Sequence, residues 1–184
     1  MLGTGAAIDF GFLTTAGTYT VVANPGSACA TTMSGSATVS INPLPTAFTV
    51  GGGGNYCSGG TGVNITLSSS TIGVNYQLML GATPIGSLVA GTSGSLSFGP
   101  VTTAGSYTVI ATNGTTGCIS GMSGSATVGI NSLPTSFSVT GGGNFCLGGS
   151  GVSIGLSGSS VGTTYQLLLS GAPVGAPLTG TGSA

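Results

Sequence analysis

Ala104-Gly105-Ser106-Tyr107-Thr108-Val109-Ile110-Ala111 reads as one pleated strand, and it occurs again as Ala16-Gly17-Thr18-Tyr19-Thr20-Val21-Val22-Ala23. Tyr107, Val109 and Ala111 fall on one face and Thr108, Ile110 and Thr112 on the other. β-Branched and aromatic residues dominate both copies. A core strand led in by glycine is expected at each place, with Tyr19, Val21, Tyr107 and Val109 inside.

The order Ala-Gly-x-Tyr-x-Val-x-Ala resembles the F strand of an immunoglobulin-type sandwich, where a corner tyrosine lies two residues before a core position, here Val109. Around it the strand signals come at short, regular spacing with glycine-rich turns between. Ala47-Phe48-Thr49-Val50 reads as a first strand and Gly51 to Gly54 as a flexible turn. Val63, Ile65 and Leu67 alternate with Asn64, Thr66 and Ser68, giving one buried and one wet face. Val74, Tyr76, Leu78 and Leu80 mark the next strand, and Pro84 to Val89 a short edge strand that tolerates its proline. Leu96 and Phe98, then Ala126, Val128 and Ile130, supply the last two. No 3.6-residue periodicity competes. The expected class is all-β, as tandem immunoglobulin-like Greek-key sandwich modules.

Self-comparison gives the module length. A shift of 89 superposes Ser34-Gly-Ser-Ala-Thr-Val-Ser-Ile-Asn42 on Ser123-Gly-Ser-Ala-Thr-Val-Gly-Ile-Asn131, Leu44-Pro-Thr46 on Leu133-Pro-Thr135, and Tyr76-Gln-Leu78 on Tyr165-Gln-Leu167. Cys29 then meets Cys118, and Cys57 meets Cys146. Upstream of Cys29 the shift is 88, pairing Thr15 with Thr103. Gly3-Thr4 and Gly180-Thr181 both align with Gly91-Thr92. The expected divisions are the C-terminal half of one module (1–42), a complete module (43–131) and the N-terminal half of a third (132–184). Prolines at Asn42-Pro-Leu-Pro45 and Asn131-Ser-Leu-Pro134 stiffen the linkers. Neither half can bury a sandwich core alone. Two readings follow: a window of a longer chain, or a permuted subunit whose tail is finished by the next subunit's head, a head-to-tail contact that propagates into a filament.

Composition narrows function. The 184 residues contain no Lys, Arg or His, and Asp9 is the one acidic side chain. Without clustered cations the chain cannot displace phosphate counterions, so nucleic acid is not an expected partner. Proton transfer near neutral pH needs a His, Lys or carboxylate pair, and a nucleophilic Ser needs a base. The chain is therefore not expected to be an enzyme. Zinc and calcium sites need clustered Cys, His or carboxylates, so no metal or other cofactor is expected. The Gly51–Gly54 and Gly141–Gly143 runs lack the strand-to-helix context and Lys of a phosphate loop. Asn64-Ile-Thr66 and Asn113-Gly-Thr115 read as chance sequons.

Gly and Ser interrupt every apolar run before 18 residues, so no membrane-spanning helix is expected. Five Tyr and six Phe, spaced as single core positions, do not form the girdles of an outer-membrane barrel. Met1-Leu2-Gly3 opens without a cationic or apolar signal region.

Cys29, Cys57, Cys118 and Cys146 never form a Cys-x-x-Cys pair, which points to disulfides in an oxidising, extracellular setting. The preferred pairing is Cys57 with Cys118, closing a loop of about 60 residues and contributing about 4 kcal/mol on a chain-entropy estimate. Cys29 and Cys146 then pair outside the segment. The rival pairing crosses the linkers, Cys29 to Cys57 or Cys118 to Cys146. The full expected core is Tyr19, Val21, Val63, Ile65, Leu67, Tyr76, Leu78, Phe98, Tyr107, Val109, Val128 and Ile130.

Thr103-Ala-Gly-Ser-Tyr-Thr-Val-Ile-Ala-Thr-Asn113, Gly117-Cys118, Met122-Ser-Gly-Ser-Ala-Thr-Val128, Leu133-Pro-Thr135 and Tyr56-Cys57-x-Gly-Gly-x-Gly62 together resemble the tandem repeats of giant Bacteroidota cell-surface adhesins, the SprB-like gliding-motility and type IX secretion cargo proteins. That resemblance implies a structural protein exported to the bacterial cell surface, where a long repetitive stalk or fibre serves cell adhesion. It implies no catalytic residues. Partners are then neighbouring copies of the same module, in one chain or in adjacent subunits. Soluble β-proteins guard sheet edges with charge, and this chain has none to use, so side-by-side or edge-to-edge association is expected. The competing reading is a glycan-binding adhesive module using the aromatic faces of Tyr56 and Phe145 on surface glycans.

Overall fold

The computed structural model describes residues 5–183; Gly3-Thr4, which sets the repeat phase at the N-terminus, lies outside them. Among the described residues there are strands and no helices. The N-terminal segment carries β1 (Gly17–Tyr19), β2 (Val22–Ala23), β3 (Thr31–Thr32) and β4 (Ala37–Val39). The central segment carries β5 (Val50–Gly52), β6 (Gly54–Cys57), β7 (Val63–Leu67), β8 (Val74–Leu80), β9 (Thr83–Ala90), β10 (Leu96–Val101), β11 (Gly105–Asn113), β12 (Ile119–Gly121) and β13 (Ala126–Asn131). The C-terminal segment carries β14 (Val139–Gly141), β15 (Ile154–Leu156), β16 (Thr164–Leu169) and β17 (Ala172–Thr179).

The central strands form two sheets. One runs β10-β7-β5; the other runs β6-β13-β11-β8-β9, with β12 also paired to β11. Neighbours are antiparallel except β6, which runs parallel to β13 with Val128 opposite Gly54 and Asn131 opposite Cys57. Period-two alternation sends Ile65 and Leu67 of one sheet, and Tyr76, Leu78, Tyr107, Val109, Ala111 and Val128 of the other, into one shared core. Val63 and Phe98 are half-buried against it. Each large apolar side chain so buried contributes about 1.5–3 kcal/mol, and this layer is what makes the central segment a folded body.

Ile130 departs from expectation. The alternation of β13 holds for Ala126 and Val128, but Ile130 is 46% exposed. By that point β13 has run past the end of β11, whose first residue, Gly105, pairs with Val128. There only β6 continues beside it, with Tyr56 opposite Ile130.

Gly51 to Gly54 also departs: all but Gly53 lie in paired strands, and the run is not a flexible turn. Gly52 is the last residue of β5, opposite Ile65, and Gly54 the first of β6 in the other sheet. Between them Gly53 donates its N–H to the Asn64 carbonyl at 2.9 Å. The chain crosses from sheet to sheet here, and only glycine fits. A Cβ on Gly52 would lie 2.2 Å from the Asn64 oxygen, and one on Gly53 2.6 Å from the Thr127 oxygen, both at positive φ. The first paired strand accordingly starts at Val50, while Phe48 and Thr49 bridge to Ser123.

Two polar anchors hold the core's rim. Tyr107 donates its hydroxyl to the Thr103 carbonyl at 2.8 Å. Buried Ser70 donates to the Gly94 carbonyl at 2.7 Å and accepts the Thr92 N–H at 2.9 Å, tying two loops together.

Candidate functional site

The flanking segments repeat pieces of the central one, bond for bond. In the N-terminal segment Gly17, Thr18 and Tyr19 pair with Val39, Thr38 and Ala37, the register in which Gly105, Ser106 and Tyr107 pair with Val128, Thr127 and Ala126. β2 pairs β3 as β11 pairs β12. Tyr19 repeats the corner bond, donating to Thr15 at 2.7 Å. In the C-terminal segment β14 pairs β15 in the register of β5 with β7, and β16 pairs β17 in that of β8 with β9, including the irregularity after the tyrosine. Gln166 fills that irregularity as Gln77 does, donating to the carbonyls of Leu167 and Val174. Local sequence alone therefore sets these hairpins.

Burial does not follow. Val21, the copy of fully buried Val109, is 40% exposed, and Leu167, the copy of Leu78, is 46% exposed. Tyr19 is only half-buried. Each segment instead presents an open apolar concavity. Phe10, Leu13, Tyr19, Val21, Val22 and Met33 line the first, and Ile154, Leu156, Tyr165, Leu167, Val174 and Leu178 the second. The accessible surface of 12318 Å² shows the scale of this. A folded monomer of this mass exposes about 7,800 Å². The excess of roughly 4,500 Å² lies in the range of an obligate protein interface.

The structure separates Cys57 from Cys118, so the expected intramodule bond cannot form. Cys57 lies opposite Asn131 at one end of the six-stranded sheet. Cys118 lies beyond the far end of β11, where its carbonyl accepts the Asn113 N–H. Eight residue-to-residue steps of β11, from Gly105 to Asn113, and three of β13, from Val128 to Asn131, lie between them. That is about 36 Å of strand, against a Cα separation of about 7 Å at most in a disulfide. All four cysteines are unbonded, and Cys29, Cys57 and Cys146 are exposed. The Cys118 sulfur sits 3.9 Å from the carbonyl of Asn42, at the linker into the central segment. Asn42 and Asn131 thus mark the two ends of the central segment, each beside a cysteine. Their recurrence at a spacing of 89 was the available signal.

Tyr56 donates its hydroxyl to the Thr102 carbonyl and packs on the core. Its copy Phe145 is 61% exposed. Asp9 accepts the Gly11 N–H at 2.9 Å. Among the described residues no group of three or more His, Cys, Asp or Glu side chains is placed to hold a metal ion, and no helix is long and apolar enough to cross a membrane. Compared with protein-family models, curated proteins and solved structures, the chain matches none.

Proposed function

We propose that the chain is a structural repeat segment of a secreted or cell-surface fibre or adhesin stalk, built from tandem immunoglobulin-like Greek-key modules of about 89 residues. Its work is mechanical, to extend an array. The observation that carries the reading is the complementarity of the two flanks. The N-terminal segment holds copies of β11, β12 and β13, with Ile8, Phe10 and Leu13 standing where β10 has Leu96, Phe98 and Val101. The C-terminal segment holds copies of β5, β7, β8 and β9. Together they supply copies of every central strand except β6 and β10, whose sequences recur at residues 143–146 and 8–13, and neither flank supplies that set alone. The central strand order, with its first strand shared between two sheets, supports the immunoglobulin-like assignment. Uncharged, Gly- and Ser-rich surfaces without a Lys or Arg give trypsin-like proteases no cleavage site, which suits a stalk outside the cell.

The test is antibody labelling of intact source cells with serum raised against the purified chain. Surface labelling along extended appendages is expected. Labelling that appears only after permeabilisation overturns the reading.

A further inference from the structure

The geometry points to a second copy of this chain as the occupant of each open flank: residues 5–42 of one copy close on residues 132–183 of another, and two intermolecular disulfides, Cys29 to Cys57 and Cys118 to Cys146, staple the joint. This rests on the modular reading above and specifies its contacts.

Registers within the central segment dictate those of the joint. Leu96 pairs with Leu67 and Val101 with Val63, which sets Ile8 opposite Leu156 and Leu13 opposite Val152 of the other copy. Tyr107 pairs with Leu80 and Val109 with Leu78, which sets Tyr19 opposite Leu169 and Val21 opposite Leu167. The two apolar concavities are then the two walls of one core. An excess surface of roughly 4,500 Å² matches what an obligate interface buries, whereas crystal-type contacts bury under about 800 Å².

Self-closure within one chain is disfavoured by the central segment. Its first residues meet Ser123 at the start of the run into β13, and β13 leaves beside Cys57. From Ser123 to Asn131 is about 26 Å of strand. The two flanks thus leave from opposite ends, so each joint adds a copy head to tail and stays open.

The cysteine pairing follows from the asparagines. Cys57 lies opposite Asn131 of its own chain, and Cys118 lies against Asn42 of its own chain. At the joint, the incoming Cys29 occupies the place of Cys118 and so comes against Asn131, beside Cys57. Cys146 occupies the place of Cys57 and so comes opposite the incoming Asn42, beside Cys118. Each joint therefore pairs all four sulfurs that two copies bring to it. Each bond forms by exchange with a donor disulfide such as oxidised glutathione: two cysteine thiols give up two protons and two electrons, one S–S bond forms, and the donor is reduced to two thiols.

The test uses the full chain in a glutathione redox buffer. Non-reducing electrophoresis should show a ladder at multiples of 17.2 kDa, and peptide mapping should recover Cys29–Cys57 and Cys118–Cys146. Val21→Asp spoils the head and Leu167→Asp the tail, each at a position already solvent-exposed in the single chain. Alone, each variant should stay monomeric with an unchanged thermal transition of the central segment. Mixed, they should form a 1:1 dimer of about 34 kDa, twice the 17.2 kDa chain, and nothing larger. A mixture that stays monomeric, monomers with both bonds closed inside one chain, or a ladder linked through other pairs overturns the inference. None of those results touches the surface-labelling test of the stalk.

Discussion

Tyr107 donates its hydroxyl to the carbonyl of Thr103, four residues back, at 2.8 Å, while its ring lies fully buried between the sheets. One side chain thereby fixes both the start of β11 and the packing of the layer beneath it. Tyr19 makes the same bond to Thr15 at 2.7 Å from a half-buried ring. The two tyrosines share a local structure and differ in what covers them.

Tyr107→Phe removes a part-buried hydrogen bond that runs from a fully buried ring to the carbonyl of exposed Thr103. The expected loss is about 1–2 kcal/mol, read as a lower urea midpoint with the slope unchanged. Tyr19→Phe in the unassembled chain should cost less than about 0.5 kcal/mol, since water can replace the bond there. Equal losses in the monomer would contradict the difference in burial.

Ser70→Ala leaves the Thr92 N–H and the Gly94 carbonyl without their partner under a side chain that is 4% exposed. About 1–3 kcal/mol should be lost. Hydrogen exchange should quicken first at Thr92, whose N–H carries this bond. Ser159→Ala, at the exposed-flank copy of the same motif, should leave the denaturation midpoint of the monomer unmoved.

Gly53→Ala forces a Cβ against the Thr127 carbonyl at positive φ, at the point where the chain changes sheets. A destabilisation of several kcal/mol is expected, since the obstacle is main chain and cannot rotate away. Gly121→Ala is the control. A Cβ there meets nothing within 4 Å, and the midpoint should hold within about 0.5 kcal/mol.

What could be read from the sequence was whatever depends on neighbours along the chain. The alternation in Val63–Leu67, Val74–Leu80 and Gly105–Asn113 gave strands with the expected inward faces, and the edge position of Thr83–Ala90 followed from its proline. Gly51 to Gly54 was misread because a glycine run signals freedom of backbone without saying that another backbone takes up the space. The Cys57–Cys118 pairing failed for a related reason: spacing along the chain does not record which end of a strand a residue occupies. Val21 and Leu167 carry the pattern of core residues and are exposed, because burial belongs to a pair of surfaces and each flank holds one. The relation between Asn42, Asn131 and the cysteines needed the register of β6 on β13, which no local pattern encodes.

Ile65 and Ile154 separate folding from assembly, since they are copies in the same register with opposite exposure, 0% and 53%. Ile65→Ala empties a closed core and should cost about 2–5 kcal/mol of monomer stability. Ile154→Ala removes the same methyl groups from an open wall, so the monomer's midpoint should move by less than about 0.5 kcal/mol. If that wall becomes a core only when a second copy closes on it, the missing cost reappears in association. A deficit of about 2 kcal/mol then weakens assembly roughly 30-fold, measurable as a rightward shift in the concentration dependence of light scattering under reducing conditions. A variant that leaves both stability and assembly unchanged would mean that Ile154 faces solvent in every state of the chain.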